Sequence, residues 1–155
     1  MRDPEALDPQ IRAYLEAENA YTEGALADTA ALQKALYAEM RARIKEDDSS
    51  VPAPDGAFEY FASYVTGGQY PRLCRQRRGG GGEEVLLDGN KEAEGRSYWQ
   101  VGATAHSPDH KFLAYAVDDK GSELFTIRIR DLATGQDLPD AIPDTRSAIV
   151  WVRDS

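Results

Sequence analysis

The sequence predicts a mainly β protein with an N-terminal helical segment, and three observations carry this prediction. Apolar residues recur at helical spacing before about residue 50 and at alternate positions from residue 57 onward. Turn signals separate the strand-like runs about every 8–12 residues. The chain has 155 residues, enough for one domain with its own core. Turn signals spaced 8–12 residues apart are typical of antiparallel strands in a sandwich, a barrel or a propeller.

Two amphipathic helices are expected in residues 1–50. Asp8 followed by Pro9 combines an N-cap residue with proline at the first helical position. Gly24 and the pair Asp28-Thr29 indicate a break and a second N-cap. The second helix carries one apolar stripe at i, i+4, i+8 and i+12, formed by Leu32, Leu36, Met40 and Ile44. Helices with such a stripe must pack against another surface.

The boundary between the two regions is predicted at residues 51–56. Pro52 and Pro54 fix φ and remove backbone donors, and Asp55-Gly56 favours a tight turn. We therefore predict a helical segment at 1–50, a linker at 51–56 and a β segment at 57–155. The strand-like runs expected in that segment are 57–65, 70–75, 83–89, 111–117, 123–130 and 148–152.

Composition excludes several classes of partner. The formal net charge of −9 argues against sequence-independent binding to nucleic acid. No apolar run approaches the roughly 18 residues needed to cross a bilayer, and the N-terminus lacks the pattern of a secretory signal. The single cysteine, Cys74, allows no internal disulfide. A soluble, cytoplasmic chain without nucleic-acid or membrane partners is expected.

No catalytic residue, metal ligand or cofactor site is predicted. Ser97 lies in Gly-Arg-Ser-Tyr-Trp, which lacks the last glycine of a nucleophile elbow, so a role as nucleophile is disfavoured. His106 and His110 have the four-residue spacing of helical metal ligands. Pro108 lies between them and would break a helix, and no third ligand is near in sequence. A turn is the favoured interpretation.

Three other features have a structural and a functional interpretation. The four glycines at 79–82 could cradle phosphate, but no Lys-Ser/Thr follows, so a flexible hairpin tip is favoured. Cys74 is expected to be a small packed side chain. A basic cluster could contact phosphate, but a solvated hairpin is preferred because Glu83-Glu84 follows it. The cluster consists of Arg72, Arg75, Arg77 and Arg78.

Several sequence blocks along the chain occur in the order seen in one known family. The N-terminal blocks lie at 2–5, 13–21 and 43–52, and further blocks lie at 67–71 and 84–88. Together they resemble the oligopeptidase B (protease II) branch of the prolyl oligopeptidase family of serine peptidases. The most specific block runs from 105 to 135 and looks like one propeller blade. Ser107-Pro108-Asp109 opens that blade, and Asp131-Leu132-Ala133-Thr134-Gly135 closes a hairpin. Residues 148–155 look like the start of the next blade.

The resemblance implies a seven-bladed β-propeller that gates a C-terminal α/β-hydrolase domain carrying Ser, Asp and His. It also implies cleavage of short peptides after Lys or Arg. The 155 residues do not reach that domain. No residue of this chain is therefore assigned a catalytic role, and the chain alone is expected to be inactive. Substrate-binding residues are not assigned. Both ends look cut, which predicts an N-terminal fragment with about the first two blades.

The alternative is a non-enzymatic β-propeller module that binds a partner. Scaffolding propellers share the Ser-Pro-Asp signature, but the helical blocks before residue 50 favour the peptidase. In either case, two blades without their neighbours should leave apolar surface uncovered, which predicts a homo-oligomer, most simply a dimer. The side chains expected to be uncovered, besides the stripe on the second helix, are Phe112, Tyr115, Phe125, Ile127 and Trp151.

Overall fold

The computed structural model describes residues 7–152, which form two compact units that divide after Lys45. The first is helical and the second is built from β-strands. The block at residues 2–5 and the last three residues of the predicted blade start at 148–155 lie outside the described residues. None of the helices in the described range is long and apolar enough to span a membrane.

The helical unit contains α1 (Pro9–Leu26), a short 3-10 turn (Ala27–Thr29) and α2 (Ala30–Ala42). The Asp8 side chain accepts a hydrogen bond from the backbone N–H of Gln10 at 2.8 Å, so the predicted N-cap is confirmed. Thr29 precedes α2 but does not cap it with its side chain. Its hydroxyl instead donates to the carbonyl of Leu26 at 2.7 Å. The break is therefore a tight turn between two helices.

The first sheet contains four strands, β1 (Ala53–Asp55), β2 (Phe58–Ser63), β3 (Arg72–Arg77) and β4 (Glu84–Asp88). Each strand pairs antiparallel with the next one in sequence. The segment 51–56, which the sequence predicts to be a linker, therefore contains β1. Proline lacks a backbone donor, and an edge strand accommodates it where one side of the strand needs no donors. β1 is such an edge strand, so Pro54 does not prevent it from forming.

The second sheet contains β5 (Gln100–His106), β6 (Phe112–Asp118), β7 (Phe125–Asp131) and β8 (Gln136–Thr145), again antiparallel in sequence order. The strands predicted at 111–117 and 123–130 are confirmed. The strand predicted at 148–152 is wrong, because the structure shows no strand there. A run of β-branched and aromatic residues such as this one forms a strand only where a neighbouring strand can pair with it. Here the Trp151 indole instead donates to the carbonyl of Ala105 at 2.9 Å.

A short helix, α3 (Gly89–Glu92), follows β4, and Asp88 caps it by accepting from the N–H of Asn90 at 3.1 Å. The sequence predicts a strand over 83–89 and no helix after it.

The core lies where the two sheets meet. Side chains from both sheets and from the segment after α3 form the buried apolar cluster, which consists of Leu86, Leu87, Trp99, Leu113, Tyr115 and Val117. Tyr115 is 1% exposed, so the expectation that it lies uncovered is wrong.

Candidate functional site

Both histidines of the chain lie in one cluster at the junction of the two sheets. Nε2–H of His106 donates to the Asp55 carboxylate at 2.7 Å. The ring of Tyr60 stacks on that of His106, with 3.9 Å between centroids and 5° between planes. The Tyr60 hydroxyl is joined to Nδ1 of His110 by a 2.7 Å hydrogen bond. We call these four residues the His–Asp–Tyr cluster.

Two tight turns place the cluster. Asp55 ends β1, and Gly56 follows it with φ of +54°, in the left-handed region. A Cβ at position 56 would lie 2.6 Å from Nε2 of His110, so only glycine leaves room for this imidazole. His110 is also left-handed, with φ of 60°, and its N–H donates to the carbonyl of Ser107 at 2.8 Å. The predicted turn between the two histidines is therefore confirmed.

The electrostatics of the cluster follow from these contacts. The hydrogen bond from His106 holds the pKa of the Asp55 carboxyl below its usual range. Burial raises the pKa of the Tyr60 phenol, which therefore stays protonated at neutral pH. The cluster thus combines a carboxylate, two imidazoles and a neutral phenol.

Asp55, like Tyr60, has no sequence signal that marks it as a member of the cluster. It lies 51 residues before His106 in sequence. Asp55 ends β1 of the first sheet, and the contact between the two sheets places it beside His106 of the second sheet. Within the sequence, Asp55 carried only a turn signal. No spacing rule links it to the histidines, so the fold alone identifies it.

The basic cluster is more buried than the solvated hairpin that the sequence favoured. Arg75 is 8% exposed and binds both oxygens of Glu84 at 2.7 and 2.9 Å. Its Nη1 also donates to the carbonyl of His110 at 2.6 Å, which ties β3 to the turn that carries that histidine. Arg77 and Arg78 are exposed, as expected for a hairpin end.

Arg72 and Cys74 belong to the same strand and have structural contacts. Arg72 forms an ion pair with Glu83 at 3.3 Å. Cys74 is 1% exposed, as expected for a packed side chain, and lies 3.3 Å from the Ser63 hydroxyl. Burial raises the pKa of its thiol, which disfavours the reactive thiolate.

Ser97 lies in an exposed loop between α3 and β5. A nucleophile elbow would instead lift the serine at a sharp turn from a strand into a helix. The structure therefore gives Ser97 none of the geometry of a nucleophile.

A second polar cluster surrounds Arg130 on the second sheet. Its Nε donates to Asp137 at 2.8 Å and its Nη2 to Glu92 at 2.9 Å. The Tyr115 hydroxyl donates to Asp137 at 2.6 Å. Burial, reinforced by the acceptor Asp137, raises the pKa of this phenol. Each of these four side chains has a hydrogen-bond partner within the fold, which indicates a structural role.

The Ser-Pro-Asp motif lies between β5 and β6 and so does not open the blade. Asp109 accepts from the hydroxyl of Ser107 at 2.6 Å, and that hydroxyl accepts from the N–H of Phe112 at 2.9 Å. The motif therefore closes the first turn of the second sheet, after one strand has already formed.

Comparison with known proteins decides the family. A family model described as the N-terminal β-propeller domain of prolyl oligopeptidase matches residues 1–155. The chain belongs to the prolyl oligopeptidase family. The predicted fold class is thereby confirmed, and the two four-stranded sheets match this propeller domain.

Relatives in the prolyl oligopeptidase family support the same assignment. The chain is 39% identical over 170 residues to dipeptidyl aminopeptidase BI of Pseudoxanthomonas mexicana, covering 99% of this chain and 24% of that protein. It is 31% identical over 152 residues to Protease 2 of Moraxella lacunata, covering 93% of this chain and 22% of the relative.

Solved structures extend the likeness to oligopeptidase B. The enzyme from Leishmania major superposes with a TM-score of 0.89 at 32% identity, covering 97% of this chain and 22% of that one. Oligopeptidase B from Trypanosoma brucei, in its closed form with covalently bound antipain, superposes with a TM-score of 0.86 at 34% identity. The match covers 99% of this chain and 22% of that one. The predicted resemblance to oligopeptidase B is therefore confirmed. The chain spans less than a quarter of the length of these relatives.

Proposed function

We propose that the chain is the N-terminal propeller part of a serine oligopeptidase that cleaves short peptides after Lys or Arg. The observation that carries this proposal is the match to oligopeptidase B over 97% of the chain with a TM-score of 0.89. The net charge of −9 agrees with it, because an acidic protein attracts basic peptides.

In this proposal the β unit restricts the access of substrates to the active site, and the catalytic residues lie in another domain. The partners of the chain are that C-terminal α/β-hydrolase domain, which supplies the Ser, Asp and His of acyl transfer, and short basic peptides. The polar contacts of Arg75 and Arg130 support a structural role for this chain, since both guanidinium groups are engaged within the fold. A cytoplasmic location belongs to the same proposal and rests on the single free cysteine.

The experiment uses the longest protein encoded by the reading frame that contains this chain. Its rate of hydrolysis is measured with N-blocked peptide amides ending in Arg, Lys or Pro. We expect kcat/KM to be highest for Arg and Lys, and a serine-directed fluorophosphonate to abolish the activity. A preference for Pro would contradict the proposed specificity.

Dipeptidyl aminopeptidase activity is a second candidate. It is favoured by the 39% identity to dipeptidyl aminopeptidase BI, compared with 31% to Protease 2. The same substrates with a free and a blocked N-terminus separate the two activities. Release of dipeptides only from free N-termini would favour the aminopeptidase. An absence of hydrolysis from every substrate would favour a non-enzymatic interaction module.

A further inference from the structure

We propose that Asp55, His106 and His110 form a binding site for a divalent transition-metal ion of the zinc type. One ligand atom from each residue lies within 4.8 Å of those of the other two. These are the only two histidines among the 155 residues, and the fold brings both to the same carboxylate. The proposal does not depend on peptidase activity.

The donor set selects the class of metal. Imidazole nitrogens suit zinc, copper and nickel, whereas magnesium and calcium prefer oxygen ligands. Three protein ligands are the usual number in zinc sites that keep a fourth position for water. The Asp55 side chain is 61% exposed, so the fourth position opens to solvent.

A small rearrangement converts the hydrogen-bonded cluster into a metal site. Nε2 of His106 lies 2.7 Å from the Asp55 carboxylate. Ligand atoms about 2.0–2.1 Å from a tetrahedral zinc ion lie roughly 3.3 Å from one another. The exposed Asp55 side chain can make this movement. For a metal ion to bind, the proton on Nε2 of His106 moves to Nδ1, so that Nε2 presents its lone pair to the ion.

Tyr60 orients the second imidazole. Its hydroxyl holds Nδ1 of His110 at 2.7 Å, which leaves Nε2 as the ligand atom. Nε2 is also the atom that lies against Gly56, beside Asp55. Histidine ligands generally make such a hydrogen bond through the other ring nitrogen, which fixes the tautomer and the ring orientation.

The surrounding charge allows a cation to bind. Within residues 7–152, Arg75 is the one buried cation, and it donates to the carbonyl of His110 at 2.6 Å. Both oxygens of Glu84 bind this guanidinium and neutralise it. The Asp55 carboxylate then offsets part of the charge of the metal. A bound ion would connect β1 of the first sheet to the β5–β6 turn of the second sheet.

The experiment titrates the untagged, purified chain with ZnSO4 in a calorimeter and follows its melting temperature. We expect one zinc ion per chain, a higher melting temperature and no comparable effect of MgCl2. Asp55→Asn, His106→Gln and His110→Gln should each weaken binding by roughly tenfold or more, since loss of outer-shell partners alone costs about 10–100-fold. Glu94→Gln removes an exposed carboxylate outside the cluster and should leave binding unchanged.

A second measurement needs no variant and therefore does not depend on variant folding. Diethylpyrocarbonate modifies neutral imidazoles, and in the untagged chain the modified histidines can only be His106 and His110. Zinc should protect both from modification, as quantified by mass spectrometry. Absence of protection, zinc binding that the three variants leave unchanged, or equal binding of magnesium would overturn the proposal.

Discussion

Arg130 and Asp137 are directly paired across strands β7 and β8, with 2.8 Å between the guanidinium Nε and the carboxylate. The same guanidinium binds Glu92 in α3, which follows the first sheet. One cation therefore holds two carboxylates, one on strand β8 and one on the helix that follows the first sheet. If that cation is removed, the two partly buried carboxylates lose their counter-ion.

Arg130→Met should lower the free energy of unfolding by about 3 kcal/mol, because the carboxylates of Asp137 and Glu92 lose their counter-ion. Urea denaturation of the purified chain measures this change. Lys120→Met is the control, since Lys120 is exposed and its side chain lies outside this network, and it should change stability by less than about 1 kcal/mol. Equal losses in the two variants would contradict the structural role of Arg130.

Asp118 should make the stability of the β unit pH-dependent below about pH 4. Burial raises its pKa, but N–H groups of Lys120, Gly121 and Glu123 at 2.8–2.9 Å outweigh this and hold the pKa below its usual value. The folded pKa lies below the unfolded value of about 3.9, so the stabilisation is complete above that value. It is lost as the pH falls through the folded pKa.

Urea denaturation of the wild type and of Asp118→Asn at a series of pH values checks this prediction. The stability difference between them should be constant near neutral pH and should shrink below about pH 4. A difference that stays the same in acid would show that the Asp118 charge does not contribute.

Asp109 and Asp131 should contribute to stability through their turns. Asp109 accepts from the N–H of Lys111 at 3.2 Å, and Asp131 accepts from that of Ala133 at 2.8 Å. Each substitution by alanine should cost on the order of 1 kcal/mol, measured by thermal unfolding. Asp140→Ala, at an exposed position on β8, is the control. In a longer active enzyme, a lower kcat with unchanged melting would contradict this role.

The 155-residue chain alone should be catalytically inert. Ser97 lies in an exposed loop, and the chain's two histidines belong to the His–Asp–Tyr cluster. The purified chain should not hydrolyse an Arg ester and should not react covalently with a fluorophosphonate. Labelling of any serine together with turnover would refute this prediction.

The chain should self-associate when it is purified alone. The predicted apolar stripe is exposed, with 59% of Leu32 and 60% of Met40 accessible to solvent on α2. Ile44, which the sequence placed on the same helix, lies two residues after its end and is 67% exposed. Covering such side chains stabilises an assembly by roughly 25 cal/mol per Å² of apolar surface. Sedimentation velocity over a wide concentration range should show a dimer. A monomer that unfolds cooperatively at every concentration would refute this expectation.

Local signals predicted the two long helices and five of the eight strands in residues 7–152, because the causes of these elements lie close together in sequence. The Asp8 cap, the apolar run of β6 and the alternating apolar residues of β7 each act over a few positions. β1 was missed because its prolines normally oppose strand formation, and only pairing with β2 shows that an edge position tolerates them. Residues 148–152 show the opposite case, in which a strand-like pattern forms no strand.

The His–Asp–Tyr cluster could be predicted only in part. The His-Ser-Pro-Asp-His segment indicated a turn with two imidazoles, and the turn is confirmed. Asp55 and Tyr60 join this turn through contacts over 50 or 51 residues of chain. Burial of Arg75 likewise depends on the carbonyl of His110, 35 residues away. Contacts at this range follow from the packing of two sheets, which composition and spacing do not specify.

The hairpin between β3 and β4, which contains four glycines, should tolerate a break in the polypeptide chain. No atom lies within 4 Å of a Cβ built at Gly79, Gly80 or Gly82, so the tip has open space around it. A protease that cut there would produce two polypeptides. The β3–β4 ladder and the core shared by both sheets would still join the two pieces. The chain could therefore be made as two separately expressed halves that reassemble.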